Sequence, residues 1–507
     1  MNQNFRTQRV TKNIITGLIY TIVSSFFPFF YRTAMIKYLG ESYLGLSSFC
    51  VSILEVINFS NLGISTAFQY HLYKPISESD NEKINELLSF YNRVFHMLGS
   101  MIILVGLIIS PFLKPLIKCD IPDDINLYIV FFIYLITQAL EYFLIATTDL
   151  YISARQESYI SNIFYVITTA ILYLTQIYYI KARNYYAVVV VLLARVILCG
   201  FIRYCLRRTK YRDIHFNIKR YKLPKENKRS IVIETVNITI FKVRDVTRNS
   251  IDSIVVSAFL GLKALAKFQN YYMVLLVPVI IKRILTNAVS ASFGDYNASN
   301  EKKKTYDIFE QILFISLYAS GYVSLIYFVL IQDFITFWIG NEMLLPETTA
   351  VLFSIYIYLI GMGEVANLCR STMNVWSRGK VVVIVEVLSN ILLDVALAKV
   401  WGVNGVLVAT LLCMIFIYLP YEFWIMSRNV FTNSAKKIFM IITKNIVWIT
   451  ACSGMVIVIN RMVKVDGVIE FFFKACICAI VPIVLFVTLL WKDPILKKLF
   501  IRLKCIM

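Results

Sequence analysis

The charged residues that most constrain this protein lie inside an apolar stretch, residues 229–262. The stretch is long enough to cross a bilayer as a helix, yet five ionisable side chains fall near its middle: Lys242, Arg244, Asp245, Arg248 and Asp252. At about 100° per residue they share less than half of the helix circumference with Glu234, Asn237 and Asn249. Isoleucines and valines cover the other side, so the stretch predicts an amphipathic transmembrane helix.

The polar face of this helix cannot lie against lipid. An Arg, Lys or Asp at the bilayer centre costs about 3 kcal/mol on insertion scales, so five of them would cost on the order of 10 kcal/mol or more. Two interpretations remain open. The charges neutralise one another, as Arg248 with Asp252 or Lys242 with Asp245, or they line a wet cavity that receives a charged ligand.

The composition places the chain among multi-pass membrane proteins. Hydrophobic residues make up 58% of the 507, and the mean hydropathy is +0.68. Apolar windows, each near or above the length of a helical span, recur along the chain. They are residues 12–38, 43–70, 86–113, 125–152, 158–181, 184–206, 230–260, 264–292, 306–331, 348–375, 380–400, 404–427, 438–460 and 468–491. The first is expected to remain as a span rather than a cleaved signal peptide.

The placement of basic residues predicts the topology. The formal net charge of +20 might suggest nucleic acid, but ten basic residues lie in one connector, residues 207–229, and few lie on alternate loops. Because positive loops stay inside, we expect both termini in the cytoplasm and no nucleic-acid partner. The cysteines and histidines have no metal-ligand spacing, and no catalytic residues or cofactors are predicted, so an enzyme is not expected.

Other spans carry polar residues as well. Arg32 lies in the first span beyond Pro28 and either faces a cavity or snorkels to the interface. The second span places several polar residues on one side: Glu55, Asn58, Asn61, Ser65 and Gln69. The eleventh and twelfth spans provide stacked oxygen groups that suit a hard cation, or alternatively a polar helix seam: Glu386, Asn390, Asp394 and Thr410.

An internal repeat divides the chain into two halves. Residues 38–40, YLG, recur as FLG at 259–261; residues 64–68 resemble 289–293; and residues 153–156 resemble 377–380. These matches, with parallel hydropathy, predict two six-helix bundles related by a pseudo-two-fold axis along the membrane normal. We therefore predict bundles at 1–213 and 214–432, and two accessory helices at 433–507.

Several segments resemble the multidrug/oligosaccharidyl-lipid/polysaccharide exporter superfamily, and particularly its Wzx-type flippases of O-antigen and capsule repeat units. They are YLGESYLGL (38–46), NLGIST (61–66), LYKP (72–75) and the run from Arg248 through FLG to NYY (270–272). The resemblance implies fourteen spans and alternating access in the bacterial cytoplasmic membrane. It also implies transport of an undecaprenyl-pyrophosphate-linked oligosaccharide, with polysaccharide polymerase and chain-length machinery as partners.

The resemblance also implies site residues. Cationic side chains would contact the pyrophosphate, and polar or aromatic ones the sugars; the candidates are Arg32, Glu55, Asn58, Gln69, Asn237, Arg244, Arg248, Asn249, Asn270 and Tyr271. A sodium or proton site is implied at Asp252, Asn390, Asp394 and Thr410, which would make the protein an antiporter. Glu55 stands where the lipid II flippase branch has a basic residue. A multidrug exporter is the near alternative, and a membrane polysaccharide polymerase or glycosyltransferase a more distant one.

Overall fold

The computed structural model describes residues 3–58, 64–215, 224–298, 302–372, 379–426, 435–462, 467–491 and 493–498. Their regular structure is entirely helical, with sixteen α-helices and a few short 3₁₀ and π segments. In chain order these are α1 Gln3–Tyr38, α2 Glu41–Ile57, α3 Ile64–Glu78, α4 Asn81–Ile109, α5 Leu127–Leu144, α6 Ala146–Ala154, α7 Ser158–Lys181, α8 Tyr185–Thr209, α9 Lys225–Leu260, α10 Leu262–Ala298, α11 Lys302–Ile339, α12 Glu347–Thr372, α13 Lys380–Cys413, α14 Leu419–Ile425, α15 Ala435–Met462 and α16 Val468–Leu490.

Ten segments of this described chain are helices long and apolar enough to cross a membrane. One of them, Lys380–Ile425, has 46 residues and contains two of the predicted windows. Gly402 breaks it between them, with φ 58° and ψ −134°, a conformation that side chains disfavour. α9 is not among the ten, because its charged residues interrupt the apolar run. The prediction of an all-α, multi-pass membrane protein is confirmed.

The chain forms two compact units, Met1–Ala266 and Lys267–Met507. In the first, α1 packs on α7, α5 packs on α4 and α8, and α9 packs on α2 and α3. In the second, α11 packs on α12, α15 and α16, and α12 packs on α13. The division falls inside α10 and groups α9 with the first unit. The boundary between residues 213 and 214, which the sequence repeat predicts between two six-helix bundles, stays a prediction.

Two glycines end the charged first helix of each predicted repeat. Gly40 follows α1 with φ 108° and ψ 168°, and Gly261 follows α9 with φ 91° and ψ 175°. Positive φ of this kind is accessible to glycine and strained for other residues. At Gly261 a side chain would also collide with Cys119 and Asp120. The repeated YLG and FLG segments therefore encode the same backbone turn.

A buried glutamate ties three parts of the first unit together. Glu157, between α6 and α7, is 1% exposed; Arg9 of α1 lies 2.9 Å from one carboxylate oxygen, and Lys210, at the end of α8, lies 3.1 Å from the other. The Tyr211 hydroxyl donates to it at 2.6 Å. Burial disfavours the carboxylate, but the hydrogen bonds from Tyr211 and Lys210 outweigh burial and lower the pKa of Glu157. The cluster links the start of α1 to the α6–α7 connection and to the end of α8, on the side of the protein that is predicted to be cytoplasmic.

Candidate functional site

α9 packs against α2 and α3 within the first unit. The Ser250 hydroxyl donates to Glu55 of α2 at 2.8 Å. α2 approaches so closely at Gly45 that a side chain there would overlap the backbone of Leu262. The Ser257 hydroxyl donates to the Leu116 carbonyl at 2.9 Å, which anchors the other end of α9. The glutamate that the sequence placed on the second span thus meets the charged helix.

The charged residues of α9 differ in their access to ligand. Arg244 is 1% exposed and Asp252 is 3% exposed, whereas Arg248 and Asn249 are half-buried. Both arginines and Asp252 are engaged in polar or electrostatic interactions. Arg248 can therefore meet a ligand with less rearrangement than Arg244 can. The side chains of Glu234, Asn237, Lys242 and Asp245 lie outside the described residues.

Three predicted ligand contacts lie in the packed interior of their own units. Asn58 is 8% exposed and accepts a hydrogen bond from the Tyr142 hydroxyl at 2.6 Å. Tyr271 is fully buried; its hydroxyl donates to Gln332 at 2.5 Å and accepts from a backbone amide at 3.1 Å. Asn270 is also fully buried, with its amide nitrogen 3.9 Å from a methionine sulfur. Each of these contacts joins two segments of the same unit to each other.

Two other predicted contacts lie nearer to solvent or lipid. Arg32 is half-buried on α1, next to Tyr31, whose ring is 5.9 Å from that of Tyr173 on α7. Gln69 is half-buried on α3, which packs against α9. Their roles as ligand contacts stay predictions. Residues 61–63 of the second span lie outside the described chain.

Three of the four predicted cation ligands meet in the second unit. The Asn390 amide nitrogen donates to Asp394 and to Thr410, each at 3.2 Å. All three side chains are buried, with exposures of 3%, 0% and 1%. They meet because the break at Gly402 returns the chain, so that Thr410 lies beside the helical turn that carries Asn390 and Asp394. Glu386, one turn earlier, is 2% exposed.

The side-chain oxygens of this cluster, with one carboxylate among them, suit a singly charged cation. The Asn390 carbonyl oxygen is buried and accepts no hydrogen bond from the described residues. A buried acceptor without a donor is costly, and a cation or a proton relieves that cost. The described residues contain no group of three His, Cys, Asp or Glu side chains placed to hold a metal. The fourth predicted ligand, Asp252, belongs to the first unit, Met1–Ala266.

The structure also reveals buried ion pairs that the sequence did not predict. Arg203 of α8 makes two hydrogen bonds to Asp149 at 3.0 and 3.1 Å, and Arg370 of α12 lies 2.7 Å from Glu422. Two further pairs are Lys474 with Asp333, at 2.5 Å, and Lys282 with Glu364, at 3.7 Å. Most of these residues are isolated charges within apolar windows, which is the signal that could have indicated a partner.

These features define a class, the multi-pass α-helical membrane proteins with charged helix faces buried inside their bundles. Solved structures specify the fold further. The chain is similar to the lipid II flippase MurJ in an inward closed conformation, with a TM-score of 0.71 and 15% identity, covering 94% of this chain and 98% of that one. No family model and no curated protein matches the sequence, so the likeness is one of fold.

Other transporters of the MOP superfamily have structures similar to this chain. An inward-facing MATE family transporter of the MOP superfamily gives a TM-score of 0.65 at 9% identity, over 79% of this chain and 94% of that one. A MOP superfamily transporter from Pyrococcus furiosus, described as having a binding pocket of reverse polarity, gives 0.60 at 10% identity, over 84% and 96%. The fold that the sequence resemblance implied is confirmed.

Proposed function

We propose that the protein is a flippase for undecaprenyl-pyrophosphate-linked oligosaccharide repeat units, which it moves across a bacterial cytoplasmic membrane by alternating access. The observation that carries the proposal is the pair of arginines on the polar face of α9. Arg244 is buried, Arg248 is half-buried, and the two lie one helical turn apart inside a fold shared with the lipid II flippase. Guanidinium groups stay charged and donate in a fork that matches phosphate oxygens, so this pair suits the pyrophosphate.

The biological setting follows from that substrate. A lipid-linked repeat unit delivered to the outer leaflet would be used in O-antigen or capsular polysaccharide synthesis. The partners would be a polysaccharide polymerase and its chain-length machinery. The basic connector, residues 207–229, supports cytoplasmic termini. The transporter fold favours transport over the alternative of a membrane polymerase or glycosyltransferase.

We further propose that a cation gradient drives the cycle through the α13 cluster. Asn390, Asp394 and Thr410 would bind Na⁺ or H⁺ after the Asn390 amide turns its carbonyl oxygen toward the ion. The 3.2 Å contacts and the buried carbonyl oxygen without a donor support this site. Asp252 as a further ligand stays a prediction.

The test uses the full-length protein in liposomes with two probes. One is undecaprenyl diphosphate carrying a fluorescent disaccharide, and the other is a lipophilic cationic dye. We expect the protein to move the first probe between leaflets and to leave the dye unmoved; protein-free liposomes provide the background.

Movement of the dye alone would instead support a multidrug exporter. The mixture of acids with bases is the observation that favours this second candidate: Asp252 lies on the same face of α9 as the two arginines, and Glu55 of α2 contacts the same helix at Ser250. In cells, deletion of the gene should cause lipid-linked repeat units to accumulate facing the cytoplasm. A polymerase defect would instead shorten the polymer while single repeat units still reach the outer leaflet.

A further inference from the structure

The second unit contains a charged pair within the membrane that neither proposed site uses. The Lys282 ammonium of α10 lies 3.7 Å from a Glu364 carboxylate oxygen of α12, and the two side chains are only 14% and 11% exposed. Both residues fall near the middle of their apolar windows, 264–292 and 348–375. Ionisable residues at that depth are costly and mark functional sites more often than not.

Neutral groups hold the ammonium independently of the carboxylate. The Lys282 nitrogen donates to the Ser320 hydroxyl and, at 3.0 Å, to the Gly361 carbonyl. The Ser320 hydroxyl in turn donates to the Ser316 carbonyl at 2.6 Å. The ammonium therefore keeps two acceptors whether Glu364 is charged or neutral. A pair built in this way can change its net charge without leaving the cation unsatisfied.

The helices around the pair contain features that permit bending. Pro278 lies one turn before Lys282 in α10, and proline removes a backbone hydrogen bond from a helix. The Tyr418 hydroxyl, at the end of the π segment Met414–Tyr418, donates to the Gly363 carbonyl at 3.2 Å. π segments are frequent at functional sites, and prolines are tolerated inside membrane helices. The charged pair thus joins α10, close to its proline, to the part of α12 that contacts the π segment.

We propose that Glu364, set against Lys282, is a proton-binding site that controls how α10 and α12 associate during transport. The Glu364 carboxylate takes up one proton to become a neutral carboxylic acid, and Lys282 keeps its three N–H bonds. Protonation removes the charge attraction between Lys282 and Glu364 and leaves the Lys282–Gly361 hydrogen bond between α10 and α12, and release of the proton restores the charge attraction. The inference rests on the proposed function, because it supplies that transporter with a proton site separate from the α13 cluster.

Other titratable groups on the neighbouring helices are already engaged or lie farther along the chain. Arg370, six residues after Glu364, is held by Glu422 at 2.7 Å. Glu386 and Asp394 belong to α13, and Tyr418 donates its proton to the Gly363 carbonyl. Glu364 is the carboxylate that the described residues place within salt-bridge distance of the buried ammonium.

The experiment measures proton movement and lipid movement together. Liposomes containing the full-length protein and a trapped pH-sensitive dye receive the undecaprenyl-diphosphate disaccharide probe at a fixed Na⁺ concentration. We expect the wild-type protein to move protons with the probe and to move the probe faster under a pH gradient. Glu364→Gln should abolish proton movement and the response to the gradient, while slower exchange of the probe continues.

A matched control uses another buried lysine pair of this unit. Asp333→Asn, which uncouples Lys474 between α11 and α16, should leave proton movement unchanged. If Glu364→Gln fails to fold because a buried ammonium is left uncompensated, Lys282→Met combined with Glu364→Gln removes both charges and should give the same loss.

Three results separate this inference from the proposed function. Proton-coupled probe movement that persists in Glu364→Gln or in the double variant overturns the proton site. Probe movement by the wild type without proton movement also overturns it and leaves the flippase intact. If the wild type moves no probe, the flippase proposal fails. In that case an infrared carboxylic-acid band that disappears in Glu364→Gln would still support proton binding at Glu364, and its absence in the wild type would overturn it.

Discussion

Replacing Arg248 by lysine tests whether α9 binds a diphosphate. Arg248 is half-buried, and the fully buried Arg244 lies one turn away, about 6 Å along the helix axis. A guanidinium can make two parallel hydrogen bonds to phosphate, whereas an ammonium is a point charge. Losing one hydrogen bond to a charged group costs about 1.5–3 kcal/mol, so the initial rate of probe movement at low probe concentration should fall about 10- to 100-fold.

The rate is measured in liposomes and divided by the amount of folded protein, so that a loss of expression does not imitate a loss of binding. Arg229→Lys is the matched control, because Arg229 lies exposed on the same helix near its start. The competing explanation makes Arg248 and Asp252 permanent ion-pair partners. Arg248→Ala combined with Asp252→Ala should not restore transport; if it does, the two charges only neutralise each other and the diphosphate assignment is wrong.

Three further predictions follow from other parts of the molecule. Asp394→Asn should abolish the dependence of transport on a cation gradient without lowering the yield of folded protein; unchanged transport after collapse of the gradient would make the cluster purely structural. The pKa of Glu157 is lowered from its usual 4.5, so its contribution to stability is present above that pH and is lost as the pH falls through the folded-state value. The thermal unfolding midpoint of Glu157→Gln should therefore fall less than that of the wild type between pH 6 and about pH 3, and an equal fall would contradict the assignment. A cysteine introduced at position 222 by Lys222→Cys, in a Cys119→Ser background, should resist impermeant thiol reagents in intact cells. In the wild type, native Cys119, exposed in the predicted outer loop, should react with the same reagents. Ready labelling at 222 would contradict the predicted topology.

The sequence by itself determined the fold class and the position of most helices, although the windows 43–70 and 125–152 each contain parts of two helices. Apolar length identifies membrane spans because a bilayer leaves backbone groups no partner other than their own helix. The charges of α9 identified a helix that cannot face lipid, and the spacing of Asn390 and Asp394 placed both on one helical face. The repeat of YLG at 38–40 as FLG at 259–261 was visible in the sequence, whereas the positive φ of both glycines is a finding of the structure.

Only the tertiary structure decided which polar residues meet one another. Asn58 and Tyr271 are predicted substrate contacts, and the structure shows that they also hydrogen-bond to Tyr142 and Gln332, which lie on distant parts of the chain. Lys282 gave no sign of its partner, because a charge within an apolar span needs a counter-charge but does not specify which helix supplies it. That choice depends on how helices rotate and approach within a bundle, as α12 approaches Lys282 at Gly361.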